Sequence, residues 1–534
     1  MRPKACTQCR QRKVGCDADT APLNRCSTCR SLEMECVFDG GFRRVSNKRK
    51  MTELQKEVEE LRATMHLGQA APSRDAPPQS RAAQHPPGAK KPAESPDIGT
   101  CLIDRTIGEV CLTAAQTMEL FRVYFARCHP YLPLVLHSSI ELLYARSTLL
   151  FWTICFIAAP NNLRNQLEAP LKAMVTSALD PTMSTVELVQ ALLILSMWPL
   201  PFTSQRDDAS FLYSGLATQI GLQIGLHRPS MSDDFSPSAS SGSEDQEMRT
   251  VTWLACYVVG QMQASRRGVP ASILVDYTLL TSCEKDAVPP VLSQLCYISR
   301  LTVQAANTIG ASAHNLTGLM EPNTRIGMVK LFSSQFESLR RERFSRPTDV
   351  VEMAFLSSRL QILAFALDDD IPRSIELIDT VEQAKQDAIR FIQIACEKNL
   401  GLVPFYICRS VCYSVLVLLR ILKTPFANQR ELIKDSIERA RTALGSSVQT
   451  EKDINHRICL MLQAVISLEE KSGPRMTTSI RSRMTASLTC NSVRTYAEMI
   501  YQPDLDLDLA SFADLDAFNW DGLLPNFTSE TFVG

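Results

Sequence analysis

From Cys101 to about residue 498 the chain repeats apolar residues every three or four positions. The stretches TAAQTMELFRVYF (113–125), TVELVQALLILSMW (185–198), FLYSGLATQIGLQIGL (211–226) and SVCYSVLVLLRIL (410–422) each carry an apolar stripe at the helical repeat, and alternating strand-like runs are absent. Pro160, Pro170, Pro181 and Pro199, and the Ser/Asp/Glu-rich stretch from Ser230 to Glu247, read as loops between helices. The pattern predicts a large all-α domain over 101–498. The longest apolar stretch, Gly401 to Leu422, is broken by Pro404 and Arg409, and the run from Leu149 to Ala159 is too short to span a bilayer, so both read as buried helices with no membrane partner.

Composition adds a strong asymmetry to this picture. Residues 1–50 hold twelve Lys/Arg against five Asp/Glu, while 501–534 hold seven Asp/Glu and no Lys or Arg. One end suits a polyanion and the other repels it. No apolar h-region follows Met1, so nothing marks the chain for secretion, and free or metal-bound thiols are expected rather than disulfides. Six of the eighteen cysteines lie within the first 36 residues.

Those six, Cys6, Cys9, Cys16, Cys26, Cys29 and Cys36, follow C-x2-C-x6-C-x9-C-x2-C-x6-C, one unit used twice. Zinc takes four tetrahedral ligands, two ions need eight ligand positions, and six thiolates fill eight only if two of them bridge. The arithmetic points to a cofactor of two zinc ions per chain; a single four-thiolate site is the alternative and would strand two cysteines. A segment this short buries too little apolar surface to fold unaided, whereas structural zinc contributes on the order of 10–16 kcal/mol in small finger peptides. Arg10, Arg12 and Lys13 lie between the second and third cysteines, on a short helix that each C-x2-C pair can start. There they offset the formal −2 left by six thiolates on two zinc ions and can donate to guanine in a major groove. In the second repeat the positions of Arg12 and Lys13 are taken by Leu32 and Glu33, so the first half should read bases and the second support it.

This spacing, the Cys9-Arg10-x-Arg12-Lys13 run, Pro22 in the longer loop and Phe38 after the last cysteine resemble the fungal binuclear zinc-cluster transcription factors. The resemblance implies that Cys6 and Cys26 bridge the metals, that Lys13 with its neighbour contacts a CGG triplet in double-stranded DNA, and that the chain works in the nucleus. Phe42-Arg43-Arg44 looks like the subgroup typified by yeast's leucine-biosynthesis regulator. The segments YFARCHPYLPLVL, YSGLATQIGLQIGLHRP and WLACYVVGQMQASRRGVP resemble the family's regulatory domain, which implies a check on activation or a response to a small-molecule inducer. The third departs from the family's more usual Gly-Arg-Pro ending at Arg266-Arg267-Gly268-Val269-Pro270.

The zinc-cluster domain with its basic linker is assigned to residues 1–50, with the cluster at 6–36. Arg43, Arg44, Lys48, Arg49 and Lys50 in that linker suit phosphate contacts or an import signal. Met51, Leu54, Val58, Leu61 and Met65 alternate spacings of three and four, an a/d seam over 51–66 that predicts a homodimer, with Glu57 and Arg62 paired across it in parallel register. A solvated amphipathic helix is the alternative, since two heptads alone are marginal. Residues 67–100, with seven prolines, read as a disordered linker. In the acidic tail, 499–534, six aspartates from Asp504 to Asp521 keep Phe512, Leu515, Phe518 and Trp520 solvated, as in an activation segment that offers aromatics to a coactivator. Docking of Phe512, Leu515 and Phe518 on the protein's own core is the other reading.

Enzyme chemistry has no foothold: the chain holds no Walker loop, G-x-G-x-x-G, G-x-S-x-G or H-E-x-x-H. His129 with His137, and Cys408 with Cys412, read as packing residues rather than a metal or redox pair, and His227 and Arg228 as a helix C-cap. The expectation is a mostly α, zinc-dependent transcription activator that recognises CGG-type triplets and serves as a pathway-specific regulator of metabolism or of a secondary-metabolite gene cluster. A repressor with the same DNA-binding domain, or a helical enzyme with an accessory zinc module, are the rivals.

Overall fold

In a computed structural model of the chain, the described residues are 5–12, 14–18, 25–31, 35–39, 101, 103–180, 184–202, 207–235, 243–368, 370–448, 454–471 and 484–492. Two units are present, Met1–Lys91 and Pro92–Gly534. In the first, two short helices are described, α1 (Thr7–Arg12) and α2 (Ser27–Ser31). The proposed zipper over 51–66, the linker over 67–100 and the tail over 499–534 lie outside the described residues.

The second unit is helical, as its periodicity predicts. Its helices are α3 (Ala114–Val123), α4 (Ile140–Arg146), α5 (Thr148–Ala158), α6 (Asn161–Ala178), α7 (Val186–Met197), α8 (Ser210–Gln223), α9 (Ser243–Arg267), α10 (Tyr277–Ser282) and α11 (Pro290–Gly310). They continue with α12 (Pro322–Arg343), α13 (Asp349–Leu363), α14 (Ile375–Cys396), α15 (Phe405–Leu422), α16 (Arg430–Ser446) and α17 (Ile454–Lys471). Packing runs along the chain: α5 meets α7, α7 meets α8 and α9, α9 meets α11, α11 meets α13, and α13 leads through α14 to α15 and α16. Their buried faces join in one apolar core.

Local chemistry sets the ends. Thr113 opens α3 with a capping box, its Oγ1 accepting from the Gln116 N–H at 3.2 Å while Gln116 Oε1 accepts from the Thr113 N–H at 2.9 Å. Ser139, Ser147, Thr185, Thr348 and Ser374 cap later helices in the same way through one hydroxyl. Two helices end in Schellman motifs. At α8, Leu226 N–H donates to the Gly221 carbonyl at 2.8 Å and Gly225 takes φ +76°; at α9, Val269 N–H donates to Ala264 at 3.1 Å and Gly268 takes φ +65°. Glycine at 268 therefore closes the Arg266–Pro270 turn where the sequence departs from the family's usual ending.

Helix α15 is the one helix among the described residues long and apolar enough to cross a membrane, yet most of it is buried, packed by α13, α14, α16 and α17. It is a core helix, started by Pro404. Helices α5 and α7 are buried on nearly every side, which is why they carry almost no polar residue.

Four local readings need correction. Pro170 lies inside α6 rather than in a loop, because the stripe Leu167, Leu171, Val175 is fully buried and outweighs one missing N–H bond. The Ser230–Glu247 stretch is a loop only in part: Pro229–Asp234 form a 3-10 turn and α9 starts at Ser243, its acidic Glu244 and Asp245 suiting a helix N-terminus. A hairpin, β1 (Arg105–Ile107) against β2 (Val110–Leu112), pairs antiparallel with Arg105 opposite Leu112, its strands too short to show alternation. Its Gly108, at φ +56°, faces the Pro170 ring, and an added Cβ would stand 3.4 Å from Pro170 Cγ. Lastly, Arg228 does not cap α8; it pairs with Asp276 at 2.5 Å and donates to Thr278 Oγ1 at 3.0 Å.

Two substitutions in α8 and its end should shift stability in opposite directions. Gly225→Ala puts a Cβ 2.7 Å from Phe235 in a left-handed conformation and should lower the urea midpoint by more than about 1 kcal/mol of stability. Gly215→Ala, in the helix with nothing within 4 Å of the added Cβ, should gain about 0.5–1 kcal/mol. Equal shifts of one sign in urea titrations would contradict this reading of the helix end.

Candidate metal centre

The six amino-terminal cysteines converge. The sulfurs of Cys6, Cys9, Cys16 and Cys26 all lie within 4.8 Å of one another, and so do those of Cys6, Cys26, Cys29 and Cys36. The two tetrads share Cys6 and Cys26. A tetrahedral zinc site with zinc–sulfur distances of about 2.3 Å sets its sulfurs about 3.8 Å apart. The separations match: 3.9 Å for Cys6–Cys26, 3.7 Å for Cys6–Cys29 and 3.7 Å for Cys9–Cys26. A disulfide would need about 2.05 Å, so these are thiol groups arranged for a metal. Cys6, Cys9, Cys26 and Cys29 are buried, Cys16 and Cys36 half-buried.

The sequence repeat becomes a structural one. Cys9 N–H donates to Cys6 Sγ at 3.4 Å, and Cys29 N–H donates to Cys26 Sγ at 3.3 Å. Arg10 N–H donates to the Cys6 carbonyl and Arg30 N–H to the Cys26 carbonyl, both at 3.0 Å. Each C-x2-C unit thus opens its helix with a sulfur receiving backbone N–H groups that a helix start leaves unpaired. The first N–H of each helix has a distant partner: Thr7 N–H donates to the Val37 carbonyl at 2.9 Å, Ser27 N–H to the Asp17 carboxylate at 2.9 Å. That bond to Ser27 holds the Asp17 carboxyl below the usual range. The acid directly after the third cysteine was the available signal for this cap, and it is absent from the sequence reading.

Backbone donors also set the thiol chemistry. Burial opposes ionisation of Cys6, but the Cys9 N–H and the neighbouring thiols outweigh it and lower Cys6 from 9.0 to about 6. Cys26 moves down likewise, burial being overcome by the Cys29 N–H and thiol. Burial pushes Cys9 up, and Cys29 up to about 12. The two shared sulfurs are therefore the ones predisposed to be thiolates. Apart from cysteines, the described residues that make up the module's interior are Ala18 and, in part, Phe38.

The predicted DNA-facing residues divide. Arg10 Nη2 donates to the Asp39 carbonyl at 2.6 Å, fastening α1 to the segment after Cys36. Arg12 is the last residue of α1. Lys13, Arg43, Arg44, Lys48, Arg49 and Lys50 lie outside the described residues, as do Met51, Leu54, Val58, Leu61 and Met65, and Phe512, Leu515, Phe518 and Trp520.

In the helical unit the histidines keep apart. His129 Nε2 bonds the Leu134 carbonyl at 2.9 Å and His137 Nε2 pairs with Glu187 at 2.7 Å. Cys408 and Cys412 are buried and their thiols are pushed up to about 12 by burial.

Residues 4–44 match the Fungal Zn(2)-Cys(6) binuclear cluster domain, and residues 122–287 match the Fungal specific transcription factor domain. Among curated proteins, the chain is 30% identical over 330 residues to the putative transcription factor SEF1 of Kluyveromyces lactis, covering 60% of this chain and 29% of that protein. It is 24% identical over 575 aligned residues to the transcriptional regulatory protein SEF1 of Candida albicans, covering 91% and 62%. A regulatory protein of Saccharomyces cerevisiae matches at 22% over 489 residues, covering 75% and 55%. The chain thus spans between 29% and 62% of the length of these relatives. No solved structure matches it. The domain families and the relatives are transcription factors, not enzymes, and the cluster domain is one that binds zinc.

Because Cys6 belongs to both tetrads and Cys16 to one, Cys6→Ser should release more zinc than Cys16→Ser. Metal content of the two purified variants, by plasma mass spectrometry, checks this; equal losses would contradict the shared geometry.

Proposed function

We propose that this chain, which carries the zinc-cluster and regulatory domains of the fungal Zn(2)-C6 transcription factors, is a sequence-specific DNA-binding activator that holds two zinc ions. The observation that carries this reading is the pair of sulfur tetrads overlapping at Cys6 and Cys26. Four sulfurs around each of two positions fit two ions with those two cysteines bridging. Zinc supplies the cohesion that so small an interior lacks, and the residues then do the recognition. With Arg10 engaged on Asp39, base contact falls to Arg12 and Lys13, at the exit of α1. They reach a CGG triplet in the major groove, where cationic side chains pair with guanine O6 and N7. The linker residues Arg43, Arg44, Lys48, Arg49 and Lys50 follow the phosphates, and the seam from Met51 to Met65 joins two copies over two half-sites.

The acidic tail presents Phe512, Leu515, Phe518 and Trp520 to a coactivator, in the nucleus, and the helical unit is the regulatory part, receptive to a small-molecule inducer. A role as regulator of one metabolic or secondary-metabolite pathway is consistent with that design.

Arg12→Ala and Lys13→Ala should each cost about 1–3 kcal/mol on a CGG duplex and little on a scrambled one. Arg43→Ala and Lys48→Ala should weaken both duplexes alike and reduce the salt slope by about 1. Fluorescence anisotropy at several salt concentrations separates the two classes; loss of non-specific affinity alone in all four would refute base reading by α1. Replacing Phe512, Phe518 and Trp520 with Ala should abolish reporter activation while promoter occupancy persists. Unchanged output would remove the tail as the activator.

A further inference from the structure

Each half of the amino-terminal module fastens the helix of the other half. The residue after the third cysteine of a repeat is Asp17 in the first and Val37 in the second, and both meet the first N–H of the opposite helix. Asp17 Oδ1 accepts from the Ser27 N–H at 2.9 Å. The Val37 carbonyl accepts from the Thr7 N–H at 2.9 Å and from the Thr7 hydroxyl at 3.1 Å. One position in the repeat therefore caps through its side chain in one half and through its main chain in the other.

These bonds run across the two sulfur tetrads. Cys16 belongs only to the tetrad that contains Cys9, yet Asp17 beside it holds α2, the helix that carries Cys29 of the other tetrad. Cys36 belongs only to the tetrad that contains Cys29, yet Val37 beside it holds α1, which carries Cys9. Cys16 and Cys36 are also the two half-buried sulfurs, so the protein encloses them less than the other four. A helix of five or six residues does not hold its own start, and its first N–H finds no partner within it. Losing either cap would free a Cys-x2-Cys turn and untether a terminal sulfur together. Asp17 and Ser27 are both exposed, so the bond between them serves no buried packing.

We propose that Asp17 and Thr7 are positioning residues for the metal: the Asp17–Ser27 bond keeps Cys16 and Cys29 in place, and the Thr7–Val37 bonds keep Cys9 and Cys36 in place. Each bond then supports one ligand of each tetrad, so the two metal positions are coupled through the protein as well as through Cys6 and Cys26. This rests on the two-zinc reading above.

The test uses the full-length, zinc-loaded chain. N-ethylmaleimide labels thiols as they leave the metal, and peptide mass spectrometry reads each cysteine separately. In Asp17→Ala, labelling of Cys16 and Cys29 should rise about tenfold over the parent and lead that of Cys9 and Cys36, with zinc affinity in chelator competition reduced about tenfold. Thr7→Pro deletes the N–H and the hydroxyl yet suits a first helical position, and there Cys9 and Cys36 should lead instead. Asp17→Asn keeps an accepting oxygen and should label like the parent, which separates the hydrogen bond from the charge. Parent-like labelling in Asp17→Ala, the same cysteines leading in Asp17→Ala and Thr7→Pro, or an Asp17→Asn chain as labile as Asp17→Ala would overturn the proposal. If Asp17→Ala purifies without zinc, Asp17→Asn decides: parent-like labelling supports the proposal and a zinc-free chain overturns it. A parent that holds fewer than two zinc ions overturns the two-zinc reading and this proposal with it, whereas a two-zinc parent with the wrong labelling pattern overturns this proposal alone.

Discussion

Sulfur held within metal-bonding distance of sulfur is what the amino-terminal unit is built on. Among the described residues its interior offers, besides cysteines, Ala18 and part of Phe38, and a helix of five or six residues is far below the length that is stable in water. The backbone bonds that shape it, Cys9 N–H on Cys6 and Cys29 N–H on Cys26, end on the same sulfurs that would hold metal. Folding, metal capture and the aim of α1 are therefore one event.

The helical unit obeys the opposite economy. Its cohesion is apolar burial along helices such as α5 and α7, with several buried charges held in ion pairs. Arg359 reaches both Asp387 and Glu337, and Arg325 reaches Asp368 and Asp370, tying α12 to α14 and to the loop before it. One unit gathers its cysteines for metal; the other is held by hydrophobic packing.

Legibility followed the physics of each part. Cysteine spacing was enough to find the cluster, because ligand count and tetrahedral geometry leave few solutions. The 3.6-residue stripe located α3, α7, α8 and α15, because burial dominates there. What escaped was decided by contacts far apart in sequence. Pro170 stays helical through Leu167, Leu171 and Val175; Arg228 finds Asp276 forty-eight positions away; Asp17 caps Ser27 across a loop. The pairing of Arg266 with Asp208 cannot be seen in a periodicity at all. Arg10 shows the same limit: its place in the Cys-Arg-x-Arg-Lys run does not reveal that its Nη2 donates to the Asp39 carbonyl.

Native mass spectrometry of the purified full-length chain counts its metal directly. Two zinc ions per chain, lost together when Cys6 or Cys26 is replaced, is the predicted result. A single ion bound by four of the six thiolates, unaffected by loss of the other two, would contradict the shared-sulfur architecture from which everything else about the amino-terminal unit follows.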